Sequence, residues 1–271
     1  GFKRLFVVLK RRTPPYNTQY NQVCKSCGPN ANERGSLGME TLEHGPYVAT
    51  RIQKDIWSID QDYVRSFLVT GSAGALLIDA CDADADLPGL VKRLTDLPVT
   101  LVQTHCDHDH IGASHRFAKA YMHPSEFSLF AATGDRRITF TPIREGECID
   151  LGNRRFAVVL LPGHTPGSIA LLDTQARLLF SGDSVKADII YMFGSGRDIS
   201  AYIDSMERLY AMRDRYDTIL PSHGPMPITA RLLPSLIQGA KLLRAGKLLG
   251  ADDGSGLPCK LYTYQTAKFY F

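Results

Sequence analysis

Apolar and polar positions along the chain mark two successive runs of strands, each passing into strand–helix alternation. Residues 47–52, 56–59 and 63–70 are short apolar stretches that predict strands. Residues 71–74 (Gly-Ser-Ala-Gly) predict a turn, and 75–79 the returning hairpin strand. Apolar positions at 87, 90, 91 and 94 recur at helical spacing and predict a helix over 87–97. A buried-type strand follows at 99–103, then helix at 111–120, strand at 119–123 and helix at 125–133. The second half has the same order of elements. Strands are expected at 156–161, 168–173 and 178–180, a helix at 199–216, a strand at 218–220 and a helix at 230–249. The helix at 199–216 rests on Tyr202, Ile203, Met206, Leu209, Tyr210 and Met212 at helical spacing. This order predicts two sheets packed face to face with helices outside, an α/β fold built as a four-layer αββα sandwich over 47–271. The residues alone establish no internal repeat. Residues 13–46 are rich in Pro, Asn, Gly and Ser, so 1–46 is expected to form an irregular N-terminal extension.

Composition narrows the class. With 44% hydrophobic and 22% charged residues, the 271-residue chain is neither collagen, coiled coil nor wholly disordered. The balance of 31 Lys+Arg against 28 Asp+Glu, a net charge of +3, argues against nucleic acid or an acidic membrane surface as partner. No stretch approaches the roughly 20 apolar residues of a membrane span. The basic and then apolar start at 2–9 is too short for a signal peptide and is followed by Lys10, Arg11 and Arg12 without a small-residue cleavage site. It reads as an edge strand or ordered arm, and a cytoplasmic location is the default expectation. Six cysteines are sparse for a disulfide scaffold. Cys24 and Cys27 form a lone C-x-x-C among Asn, Gln, Gly and Pro, without the second pair of a zinc ribbon, and read as inert thiols in a loop.

The chemistry concentrates at Thr104-His105-Cys106-Asp107-His108-Asp109-His110-Ile111-Gly112, directly after an apolar strand. Imidazoles and carboxylates crowded together repel or lack partners unless a cation joins them. A divalent metal removes both costs. Three more metal-capable side chains stand at strand ends beside Gly or Pro: His164 in Pro-Gly-His-Thr-Pro-Gly-Ser, Asp183 in Ser-Gly-Asp, and His223 in Ser-His-Gly. Four such clusters would converge on one edge of a sandwich.

The order of these motifs over 104–224 resembles the metallo-β-lactamase superfamily, and the resemblance covers about residues 47–249. It implies the αββα fold with a two-metal site at the sandwich edge. It places one metal on His105, Asp107 and His164, a second on Asp109, His110 and His223, and Asp183 between them. Asp107 departs from the commonest pattern, which has His there. The resulting set is harder and more anionic, so iron or manganese competes with zinc, the expected metal. His108 falls on a non-ligand position, where it would support a ligand, contact substrate, replace a ligand after a small register shift, or else stand as a merely solvated histidine.

The resemblance further implies a metal-dependent hydrolase, with a metal-bridged hydroxide attacking a small acyl substrate: a lactone, β-lactam or thioester. Asp109 would orient the nucleophile and shuttle a proton. Tyr191 and Phe193 follow Asp183 and are expected to wall a partly apolar substrate site, or else to be plain core. The alternative is an iron-dependent oxidoreductase of the same fold, resembling either sulfur dioxygenases or diiron members. No flavin-binding segment follows the motifs, and the metal set is complete, so redox chemistry is the weaker reading. The expected partner is a small molecule. The acidic run Asp79, Asp82, Asp84 and Asp86 lacks EF-hand spacing, and Asp79 is expected to orient the site. The aromatic tail at 261–271 is expected to pair with a sheet edge or with a second subunit in a homodimer.

Overall fold

The computed structural model describes residues 40–271; the arm at 2–9 and the Cys24/Cys27 pair lie outside the described residues. In chain order the strands of the first sheet are β1 (Thr41–His44), β2 (Tyr47–Gln53), β3 (Ile56–Gln61), β4 (Val64–Thr70), β5 (Ala75–Ile78), β6 (Val99–Val102), β7 (Ala120–Met122) and β8 (Thr141–Pro142). β1 to β5 pair antiparallel as consecutive hairpins, and β5 to β8 pair parallel. The second sheet has the order β14-β12-β11-β10-β9, from β9 (Cys148–Asp150), β10 (Arg155–Leu160), β11 (Ile169–Asp173), β12 (Leu178–Gly182) and β14 (Thr218–Pro221). A third sheet joins β13 (Ile189–Tyr191), β17 (Ala267–Tyr270), β16 (Leu261–Tyr264) and β15 (Gly250–Ala251). The helices are α1 (Leu87–Leu94), α2 (His108–Ile111), α3 (Phe127–Thr133), α4 (Ile199–Ala211) and α5 (Leu233–Arg244).

The four layers follow from strands that are apolar on both faces. In β4 and β5, Phe67, Val69, Leu76 and Ile78 turn toward the second sheet, where they meet Phe156, Ile169, Leu171 and Phe180. Their neighbours Leu68 and Leu77 turn the other way, onto Leu87, Leu90 and Val91 of α1. On the far side, Leu172, Leu179 and Ile219 pack against Tyr202, Met206 and Leu209 of α4 and Leu236 and Ala240 of α5. Trp57 is core, buried against the outer layer.

Several expected boundaries shift. Residues 41–44, expected within the irregular extension, pair with β2 as an edge strand. The helix expected over 111–120 instead starts within the histidine motif as α2 and ends at Ile111, with a 3-10 turn at Ser114–Arg116. The cause is local: Gly112 N–H and Ala113 N–H donate to the carbonyls of Cys81 and Ala80, so they cannot extend the helix ladder. The helices expected to reach 216 and 249 end at Ala211 and Arg244. The tail pairs within the chain: β17 lies parallel to β13 and antiparallel to β16.

Candidate metal centre

Five loops leave the C-terminal ends of β5, β6, β10, β12 and β14 at one edge of the sandwich, and they carry Asp79, the 105–110 motif, His164, Asp183 and His223. Backbone hydrogen bonds stitch the two sheets at this edge: Ile169 N–H donates to Thr104 O (2.9 Å) and Arg65 N–H to Ser222 O (2.8 Å). Close approach dictates two glycines. A Cβ on Gly163 (φ +140°) would lie 2.4 Å from Tyr202 Cα, and one on Gly182 (φ +52°) 2.6 Å from Thr104 Oγ1.

Each of the four histidines is fixed through Nδ1. The partner is Thr104 Oγ1 for His105 (3.0 Å), Asp79 Oδ2 for His110 (2.8 Å), Tyr191 O for His164 (2.9 Å) and Tyr63 O for His223 (2.8 Å). Carbonyl and carboxylate oxygens accept, and Thr104 Oγ1 gives its own proton to Asp79, so Nδ1 carries a proton in each ring and Nε2 faces inward. Asp79 is fully buried and also accepts from Thr104 N–H (2.7 Å) and Thr104 Oγ1–H (2.8 Å).

The inward atoms form overlapping clusters: His105, Asp107 and His164; His105, His110 and Asp183; and Asp109, His110 and His223, each with donor atoms within 4.8 Å of one another. All seven residues named from the sequence thus converge. Asp107 Oδ2 lies 3.2 Å from His164 Nε2 and 3.5 Å from His105 Nε2. Asp109 Oδ2 lies 3.2 Å from His223 Nε2. Asp183 faces both ways, with Oδ1 3.1 Å from His223 Nε2 and 3.3 Å from His110 Nε2, and Oδ2 3.7 Å from His164 Nε2. His108 stands apart: its side chain is 82% exposed, at the rim near Asp82.

Charge in this cluster is strongly displaced. Burial pushes His110 down, but Asp109, Asp79 and Asp183 outweigh it and hold the ring well above its ordinary value. His223 is raised in the same way, burial being overcome mainly by Asp183. His164 is lowered by its burial. Burial opposes the ionisation of Asp107, Asp109 and Asp183, yet the facing histidines, with Lys186 at Asp183, hold all three below the usual carboxylate range.

These residues fit divalent metal. His105 Nε2, His164 Nε2 and Asp183 Oδ1 are buried without a hydrogen-bond partner among the described residues. Such orphaned atoms are rare in folded proteins, and a pair of cations, one toward His105 and His164 and one toward Asp183 Oδ1, would satisfy all three. Imidazole and carboxylate donors together suit zinc, iron or manganese.

Three residues escaped the sequence reading. Lys186 is buried and donates to Asp183 Oδ2 (2.6 Å). Arg197 Nη2 donates to Asp107 Oδ2 (2.5 Å). Glu126, fully buried, accepts from Cys106 N–H (2.9 Å) and Gly167 N–H (2.6 Å), clamping the loop of His105 and Asp107 to the loop of His164. Burial raises the neighbouring Cys106 thiol, so it is no thiolate nucleophile. Tyr191 and Phe193 line a cavity beside Asp107. They are propped by Tyr270, whose ring centroid lies 5.0 Å from that of Tyr191 and 6.3 Å from that of Phe193.

A family model described as the metallo-beta-lactamase superfamily matches residues 59–223. An acyl-coenzyme A thioesterase of Gallus gallus is 29% identical over 199 residues, covering 59% of this chain and 72% of the relative. A hydroxyacylglutathione hydrolase of Francisella tularensis is 27% identical over 147 residues, covering 53% of this chain and 56% of the relative. The chain thus spans between half and three quarters of the length of these relatives. The solved metallo-beta-lactamase from Pontibacter korlensis superposes with a TM-score of 0.62 at 20% identity, covering 72% of this chain and 99% of that one. Among the described residues, no helix is long and apolar enough to cross a membrane.

Proposed function

Because this chain belongs to the metallo-beta-lactamase superfamily, we propose that it is a two-metal hydrolase of small acyl substrates, thioesters foremost. The observation that carries this reading is Asp183 set between two donor clusters, one oxygen toward each. Two relatives named for thioester hydrolysis favour thioesters over lactones and β-lactams.

His105, Asp107 and His164 would hold one ion, and Asp109, His110 and His223 the other, with Asp183 shared. When bound, such a pair would polarise a carbonyl and lower the pKa of a water toward about 7. The rest falls to the chain. Asp79, Thr104 and the carbonyls of Tyr63 and Tyr191 keep the Nε2 atoms aimed inward. Lys186 and Arg197 offset the charge of three crowded carboxylates. Asp109, at the inner face of the cluster yet next to the solvent-facing rim residue His108, orients the attacking water and takes its proton. Hydrolysis forms a C–O bond at the carbonyl and breaks the C–S bond; the proton taken up by Asp109, on the oxygen turned toward His108 and away from the cluster, passes to the departing sulfur. Tyr191 and Phe193 flank the acyl group.

The test is zinc-loaded protein assayed for thiol release from a thioester panel, with elemental analysis of bound metal. His110→Ala and Asp183→Ala should each lower turnover at least about 1,000-fold, a loss of roughly 4 kcal/mol of transition-state stabilisation. Full activity in either variant overturns the reading, as does a protein that binds no divalent ion.

A further inference from the structure

Beside Asp107 lies a cavity of about 400 Å³. Leu129, Thr133, Tyr191 and Phe193 give it apolar walls, and among the described residues Arg197 is the one Lys or Arg that lines it. The position of Arg197 is set from both sides. Gly196 before it takes a left-handed turn (φ +82°), and Asp198 after it donates its N–H to Gly163 O (2.8 Å) and caps α4. The side chain is only 13% exposed. Nη2 is engaged by Asp107, but Nε is buried with no hydrogen-bond partner among the described residues. Leaving a buried cationic N–H unpaired is costly, and it is retained where an incoming group completes it. Asp107 does not account for Nε, since its Oδ2 already meets Nη2 and the two ring nitrogens.

We propose that Arg197 recognises a carboxylate on the acyl half of the substrate, so that half-thioesters of dicarboxylic acids are preferred; this rests on the hydrolase reading above. A guanidinium edge is planar and matches a carboxylate in two parallel hydrogen bonds. A carboxylate brings one negative charge toward Asp107, whereas a phosphate brings nearly two. Arg197 touches a residue of the metal cluster itself, so its partner must lie a few bonds from the scissile carbonyl. A dicarboxylic acyl group provides that spacing, and the phosphates of a large thiol do not.

The experiment compares a glutaryl thioester with its terminal methyl ester, both on the same thiol and with zinc-loaded protein. Wild type should favour the free carboxylate at least 10-fold in kcat/KM. Arg197→Met should bring that ratio near one, with Arg197→Lys between. By calorimetry, glutarate should bind wild type at least 10-fold more tightly than its monoamide, and Arg197→Met should lose the difference. An equal fall on both thioesters, leaving the ratio intact, overturns the proposal. So does loss of one metal equivalent in Arg197→Met, because Arg197 then serves only Asp107. If no thioester is turned over, the hydrolase reading fails, and the glutarate titration still decides the role of Arg197.

Discussion

Asp79 accepts from Thr104 N–H, Thr104 Oγ1–H and His110 Nδ1–H while sitting at φ +63°, a backbone region that most side chains avoid. One carboxylate therefore fixes two histidines, His110 directly and His105 through Thr104. Asp79→Asn keeps the shape but sets an N–H₂ group against two donors. Partners of this kind typically contribute 10- to 100-fold in metal affinity. Asp79→Asn should weaken zinc binding by about that factor in a chelator competition, and an unchanged affinity would show that the rings are aimed by packing alone. The ligands were legible in the chain because seven imidazoles and carboxylates falling beside Gly, Pro and strand ends have few other uses. Arg197, Lys186 and Glu126 were not. A lone cation or glutamate has no local marker when its partner is distant in sequence, and Arg197 meets Asp107 across 90 positions; Lys186 lies only three residues from Asp183, but a single lysine beside an aspartate has no spacing that separates a buried pair from a solvated one. The acidic run after β5 likewise hid its logic. Asp79 enters the site, Asp82 accepts from Tyr63, Asp84 pairs with Arg116 and Arg137, and Asp86 caps α1.

Strand β13 shows how an element far from the ligands positions one of them. Its Tyr191 carbonyl holds His164 Nδ1, its side chain walls the cavity, and it is itself held by parallel pairing with β17. β17 is anchored by Phe269, fully buried against Tyr202 of α4 with ring centroids 6.2 Å apart. Phe269→Ala should cost about 3–5 kcal/mol in denaturant unfolding, the range for a buried Phe truncated in a packed core. It should also weaken zinc binding, since β13 loses its neighbour. A full stability loss with zinc affinity untouched would uncouple the tail from the site. The aromatic tail was readable as strand, but its choice of partner was not, because an edge offers any strand the same unpaired N–H and C=O groups. The two-residue strands β8 and β15 were invisible for a related reason: so short a stretch carries no period. The helix expected over 111–120 failed because tertiary hydrogen bonds to residues 80 and 81 claimed the donors that helical spacing assigned to the ladder.

The layered fold brings opposed titrations to one edge, and this makes the effect of metal on stability depend on pH. Before a cation binds, His110 and His223 sit above their ordinary value, so they add stability that is fully present below about pH 6.5. That stability is lost as pH rises through their raised values. His164, lowered by burial, runs the other way, one ring against two. Asp107, Asp109 and Asp183 are held below their usual range, so their contribution is in place above about pH 4 and does not change between pH 6 and 8.5. Metal needs the Nε2 atoms bare, so protons compete with it and binding strengthens with pH. Stripped protein should therefore hold or lose thermal stability from pH 6 to 8.5, while the increment from added zinc grows. Zinc at 1,000 times its Kd would add about 4 kcal/mol. Thermal melts with and without zinc at the two pH values check this. An increment that shrinks with pH would mean that protons on these imidazoles do not compete with the ion, and none at either value that the converging imidazoles and carboxylates neutralise one another and hold no ion.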